Sequence, residues 1–98
     1  MSKPYQALNI PPAASDRGGI EVLRTAVIDG ELHLTLRPLF DNPNDWGRMF
    51  AECARQVARV YAHQNMYSEE DVIAKAREAF GQDLDAPPSA TTTVSQLT

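Results

Sequence analysis

The chain has 98 residues, 43% of them hydrophobic and 22% charged, and a formal net charge of −4 at pH 7. That length holds one modest core and no second domain. Nine basic side chains against thirteen acidic ones argue against a nucleic-acid partner, because phosphate binding draws on clustered Lys and Arg.

No apolar run approaches the roughly 18 residues that would span a bilayer, so no membrane partner is expected. The opening "MSKPYQALNIPPAA" has no continuous apolar stretch of the kind a secretory signal carries, and cytoplasmic residence is the expectation. Cys53 is the single cysteine. It rules out an internal disulfide and a cysteine-rich zinc site, and neither a metal nor another cofactor is expected.

Residues 1–18 read as an extended arm, since Pro11-Pro12 opposes continuous helix. Tyr5, Leu8 and Ile10 are the arm's candidate anchors, and it could add a strand to the body. Residues 19–82 form the expected domain. Gly18-Gly19 punctuates the chain before "IEVLRTAVI" and "ELHLTLR", two runs with β-branched enrichment and period-two alternation. Asp29-Gly30 between them is a strong hairpin signal, because a type I′ turn needs positive φ at both central residues. Strands over about 20–28 and 31–37 follow, with Ile28 opposite Glu31 and Leu23 opposite Leu36. Leu23, Val27, Leu32, Leu34 and Leu36 then share one face. Ile20, Val22, Arg24, Ala26, Ile28, His33, Thr35 and Arg37 share the other.

"DNPNDWGRMFAECARQVARVYAHQ" opens a long helix over 43–63, capped by Asn42, with Pro43 at its first position. Trp46, Met49, Phe50, Cys53, Val57, Val60 and Tyr61 recur at three- and four-residue spacing as one apolar stripe, the expected core face. Ser68 caps a second helix over 69–80 with Asp71 three positions on, and Gly81 is its expected stop. Residues 83–98, rich in Ser, Thr and Pro, are expected to be a disordered tail.

The sequence offers few chemical groups that converge. Arg24, His33 and Arg37 share a hairpin face and could hold a small anion, since guanidinium groups donate bidentately to carboxylate or phosphate. The plainer reading is a solvated strand face, which period-two patterning produces anyway. Cys53 falls inside the apolar stripe, where a thiol behaves as a small hydrophobe, and no neighbour would lower its pKa. His63 pairs with no metal-ligand spacing, and "SEED" is a helix start. No catalytic motif is present, which points away from an enzyme without ruling one out.

"KPYQALNIPPAA", "GGIEVLR", "DNPNDWG" and "ARQVARVYA", taken together in this order, resemble a family of small uncharacterised bacterial proteins, a domain of unknown function. The likeness reaches to about Phe80. It implies a bacterial cytosolic protein and brings no activity or catalytic residue with it.

The expected fold is α+β: an antiparallel hairpin, extended by the arm or a partner chain, packed against two helices. A two-stranded sheet leaves open edges, and one of its faces still shows Ile20, Val22, Ala26 and Ile28. Those four residues are the candidate oligomer interface. The leading expectation is a non-catalytic interaction or regulatory protein acting as a homodimer, with an unidentified protein as a further partner. A binder of a small anionic ligand is the alternative.

Overall fold

A computed structural model of the chain describes residues 3–87 and the backbone of 93–96. The other residues of the expected arm and tail, 1–2, 88–92 and 97–98, lie outside the described ones. The class is α+β, as expected. In chain order the elements are α1 (Pro12–Arg17), β1 (Leu23–Ile28), β2 (Glu31–Leu36), α2 (Asn44–His63), α3 (Glu69–Asp85) and β3 (Thr93–Gln96).

The hairpin closes as the turn residues require. Asp29 and Gly30 both adopt positive φ, 52° and 79°, and β1 pairs antiparallel with β2 from Ile28↔Glu31 to Leu23↔Leu36. An Arg37 N–H to Val22 C=O bond of 2.9 Å continues the ladder one pair past the strand ends. Register and faces are therefore those expected. Thr93–Gln96 lies parallel to the far side of β2, with His33↔Thr93 and Leu36↔Gln96, giving the order β1-β2-β3. This corrects the expectation of a wholly disordered tail: the polar composition of "TTTVSQ" hid a β-branched segment that the exposed flank of β2 can template.

The arm also departs from expectation, because Pro12–Arg17 is helical. Pro11 (φ −57°, ψ 138°) is in the polyproline region that a following proline favours. Pro12 opens the helix where its missing N–H is not needed. The preceding residues pair with no strand, and Leu8 is 91% exposed.

Two well-capped helices complete the chain. The Asn42 side-chain oxygen accepts from the Asn44 N–H at 2.9 Å, so it caps α2 as expected. At the other end Asn65 takes φ 58°, with Met66 N–H bonded to Tyr61 C=O and Asn65 N–H to Ala62 C=O. That is a Schellman stop, supplied here by asparagine rather than glycine. Ser68 Oγ accepts from Asp71 N–H at 3.1 Å and starts α3. Gly81 does not stop this helix. It runs to Asp85, and Ala86 turns extended (ψ 162°) before Pro87, which disfavours helical backbone in the residue preceding it.

The helices pack on each other through small side chains. Ala58 is 1% exposed and Val72 8%, and they are the buried hydrophobic residues among those described. Ala54 and Ala62, one turn either side of Ala58, are half-buried in the same row. The expected apolar stripe lies beside that row. Phe50, Val57 and Tyr61 sit roughly 60–100° round α2 from Ala58, at about 100° per residue. They remain exposed, as do Val60 and Cys53. The expectation that the whole stripe faces the core is thus corrected: α3 buries the alanine flank and meets the stripe itself at Phe50, whose ring lies 6.5 Å from that of Phe80.

Packing between sheet and helices is looser than expected. The elements whose backbones approach within 8 Å are β1 with β2, β2 with β3, and α2 with α3. A tight turn about Pro38 (Leu39 N–H to Arg37 C=O, 2.8 Å) redirects the chain after β2. Phe40 then meets Trp46 edge-on at 5.3 Å, bridging connector and helix. The radius of gyration is 15.6 Å, against about 12.6 Å for a compact chain of this length.

Candidate functional site

Alternation on the hairpin places Arg24, His33 and Arg37 on one face, with Ala26 opposite His33 and Thr35 opposite Arg24. Each has its own surroundings. The Arg24 guanidinium grips the Glu21 carboxylate twice, Nε to Oε1 at 3.1 Å and Nη2 to Oε2 at 3.0 Å. This bond to Glu21, with a second to Tyr5, raises the Arg24 pKa further above its ordinary value. His33 Nε2 lies 3.8 Å from Glu31 Oε2, an ion pair only when the imidazole is protonated. Arg37 is half-buried, and its Nε has no hydrogen-bond partner among the described residues.

The three are not brought together by the cleft that lies beside β1. This cleft, of about 1120 Å³, lies between the arm and β1 and is lined by Tyr5, Leu8, Ile10 and the residues of β1. Arg24 borders it, whereas His33 and Arg37 do not. No residue of β2 lines it, so it follows the outer edge of β1 rather than either sheet face. The sequence signal for it was available: a hairpin that closes at Asp29-Gly30 leaves one strand edge free on each side.

Elsewhere the polar groups form local surface pairs. Arg48 reaches Asp45 at 2.7 Å and Arg55 reaches Glu52 at 2.7 Å. Hydrogen bonds from Gln56 and then Arg55 hold the Glu52 carboxyl below its ordinary range. Arg48 and Arg55 are thereby paired within α2 itself, while Arg59 lies 4.0 Å from Glu69 of α3. Among the described residues no three His, Cys, Asp or Glu side chains gather as a metal site. None of the helices there is long and apolar enough to cross a membrane. The candidate interface residues Ile20 and Ile28 are exposed, while Val22 and Ala26 are half-buried.

Two comparisons place the chain among known proteins. The profile of a family described as "Domain of unknown function (DUF5076)" matches residues 7–88. A solved structure described as "a putative pyruvate dehydrogenase from the photosynthetic bacterium Rhodopseudomonas palustrus" is similar, with 35% identity and a TM-score of 0.71. That match covers 93% of this chain and 95% of the other. No curated protein matches.

Proposed function

We propose that this chain, which belongs to the DUF5076 family, is a bacterial cytoplasmic interaction or regulatory protein that works without catalysis and as a homo-oligomer, a homodimer in its simplest form. One observation carries the reading. The accessible surface is 8638 Å², whereas a folded monomer of 10.8 kDa is expected to expose about 5,500 Å². The chain exposes roughly 3,100 Å² more than that, and the excess includes apolar side chains that an interface would cover. Phe50, Val57, Val60 and Phe80 on the helices and Val27 and Ile28 on the sheet are among its exposed apolar side chains. A second copy is the one partner always present at the chain's own concentration.

Dehydrogenase chemistry, the description attached to the Rhodopseudomonas structure, finds little support in these residues. Oxidation of a 2-oxo acid asks for polar groups converging on an enclosed site with a cofactor. Here Arg24 is held by Glu21, and His33 and Arg37 do not line the cleft that Arg24 borders. Binding of a small anion is the second reading, supported by the Arg37 Nε, which has no hydrogen-bond partner among the described residues. Calorimetric titration with inorganic phosphate and with acetate tests it. Heat that Arg37→Lys abolishes would favour it.

Urea unfolding followed over a hundredfold range of protein concentration tests the leading reading. Its midpoint rises with concentration if folding and association are coupled. A midpoint that stays fixed contradicts it.

A further inference from the structure

We propose that the second copy docks along the free edge of β1, strand to strand and antiparallel, within the cleft that the arm leaves open. The inference rests on the homo-oligomer reading and adds where the copies meet. The sheet's two flanks differ: β3 closes the far side of β2, whereas nothing among the described residues bonds to the outer side of β1. The turn sets the phase of the ladder. Ile28↔Glu31 and Val22↔Arg37 are the hydrogen-bonded type of pair, so the peptide groups of Arg24 and Ala26 also face β2. Those of Leu23, Thr25 and Val27 therefore point outward. Their edge has neither proline nor lysine, and its six-residue register runs without a bulge, so three of the devices that blunt an edge strand are missing from β1.

The arm stands off from this edge instead of pairing with it. A cleft of about 1120 Å³ lies between the backbone of the arm and the strand, bridged at Tyr5 by its side-chain contact with Arg24, and among the described residues no arm–β1 backbone bond is formed. A neighbouring strand lies about 4.8 Å away in a sheet, so the space beside β1 is where an added strand belongs.

The edge is complementary to itself. With the two copies of Thr25 facing each other on a two-fold axis, Leu23 pairs with the partner's Val27, apolar against apolar. Arg24 then faces the partner's Ala26. A two-residue slip toward the strand's start would set Arg24 against the partner's Arg24, and like charges directly opposite are unfavourable. A slip the other way shortens the overlap. Arg24 is already neutralised by Glu21, so the edge carries no free charge that would select an unlike partner. Val27, 74% exposed in the single chain, gains a cross-strand neighbour, and the two sheets become one.

Charge exchange at the axis tests the arrangement in the full-length protein. Thr25 is exposed, and Thr25→Lys and Thr25→Glu are checked for the parent's far-ultraviolet circular dichroism. Each variant alone should associate at least tenfold more weakly than the parent by light scattering. An equimolar mixture should regain the parental mass, with Lys/Glu hetero-species seen by native mass spectrometry. Variants that keep the parental mass alone, or a mixture that fails to recover it, overturn the edge assignment and leave homo-association standing. A monomeric parent removes both. Amide exchange in the unsubstituted protein gives a reading that needs no variant: the Thr25 N–H is slow to exchange if the edge is paired, and exchange at the open-strand rate overturns the proposal.

Discussion

The hairpin and the helix pair reach their structures by different routes. In the hairpin the decisive information is local: two residues with positive φ fix the register of twelve others. In the helix pair, caps at Asn42, Asn65 and Ser68 fix where the helices begin and end, but not which side faces inward. That is decided by fit, and the row Ala54, Ala58, Ala62 wins over the bulkier stripe beside it because small side chains let α3 approach closely. The two halves also share a property. Each leaves apolar surface open, and neither covers the other. The described elements are therefore locally well determined, yet the buried core among the described residues is confined to Ala58 and Val72.

The difference can be broken one half at a time. The largest effect is expected at Ala58→Leu. Forcing a larger side chain into a contact with 1% exposure costs about 1–3 kcal/mol by overpacking. Urea unfolding measures the loss, and the β1–β2 amide pattern should be retained. A hairpin that melts together with the helices would show that the halves are coupled more tightly than their separation implies.

Gly30→Val attacks the other half. At φ 79° a side chain in the left-handed region costs about 1–2 kcal/mol. The amides of β2 should lose exchange protection while those of α2 keep theirs. Equal loss in both would break the distinction between a turn-determined and a fit-determined half.

Ser68→Ala is the mildest of the three. It removes the bond to the Asp71 N–H and costs about 1 kcal/mol, as N-cap deletions do. Fraying should be confined to the first turn of α3 and visible as faster exchange at Asp71. Unchanged stability would mean that the Ser68 bond is dispensable and that α3 is held by its packing against α2, through Val72 and Phe80.

The legibility of the sequence follows the same division. Asp29-Gly30 gave register, faces and turn type, because only a few residue types tolerate that backbone. Asn42-Pro43 and Ser68 located the helix starts for a similar reason. Periodicity found the apolar arc of α2 but ranked Phe50 and Val57 above Ala58, since hydropathy does not register how closely two helices can approach. Gly81 read as a stop, although a glycine ends a helix only where the chain takes positive φ, and Pro87 supplied the real limit. Pro12 read as a helix breaker, although it stands at the first turn, where it is tolerated. Arg24, His33 and Arg37 share the face that alternation predicts. That only Arg24 of the three borders the cleft beside β1 depends on where the arm runs, which strand patterning does not encode.

The central claim is that this fold becomes complete only when copies associate. Sedimentation equilibrium of the full-length chain at micromolar concentration tests it most directly. The account predicts a mass at an integral multiple of 10.8 kDa, two or more, under conditions where the circular dichroism is that of an α+β protein. A folded, cooperatively melting species of 10.8 kDa would contradict it.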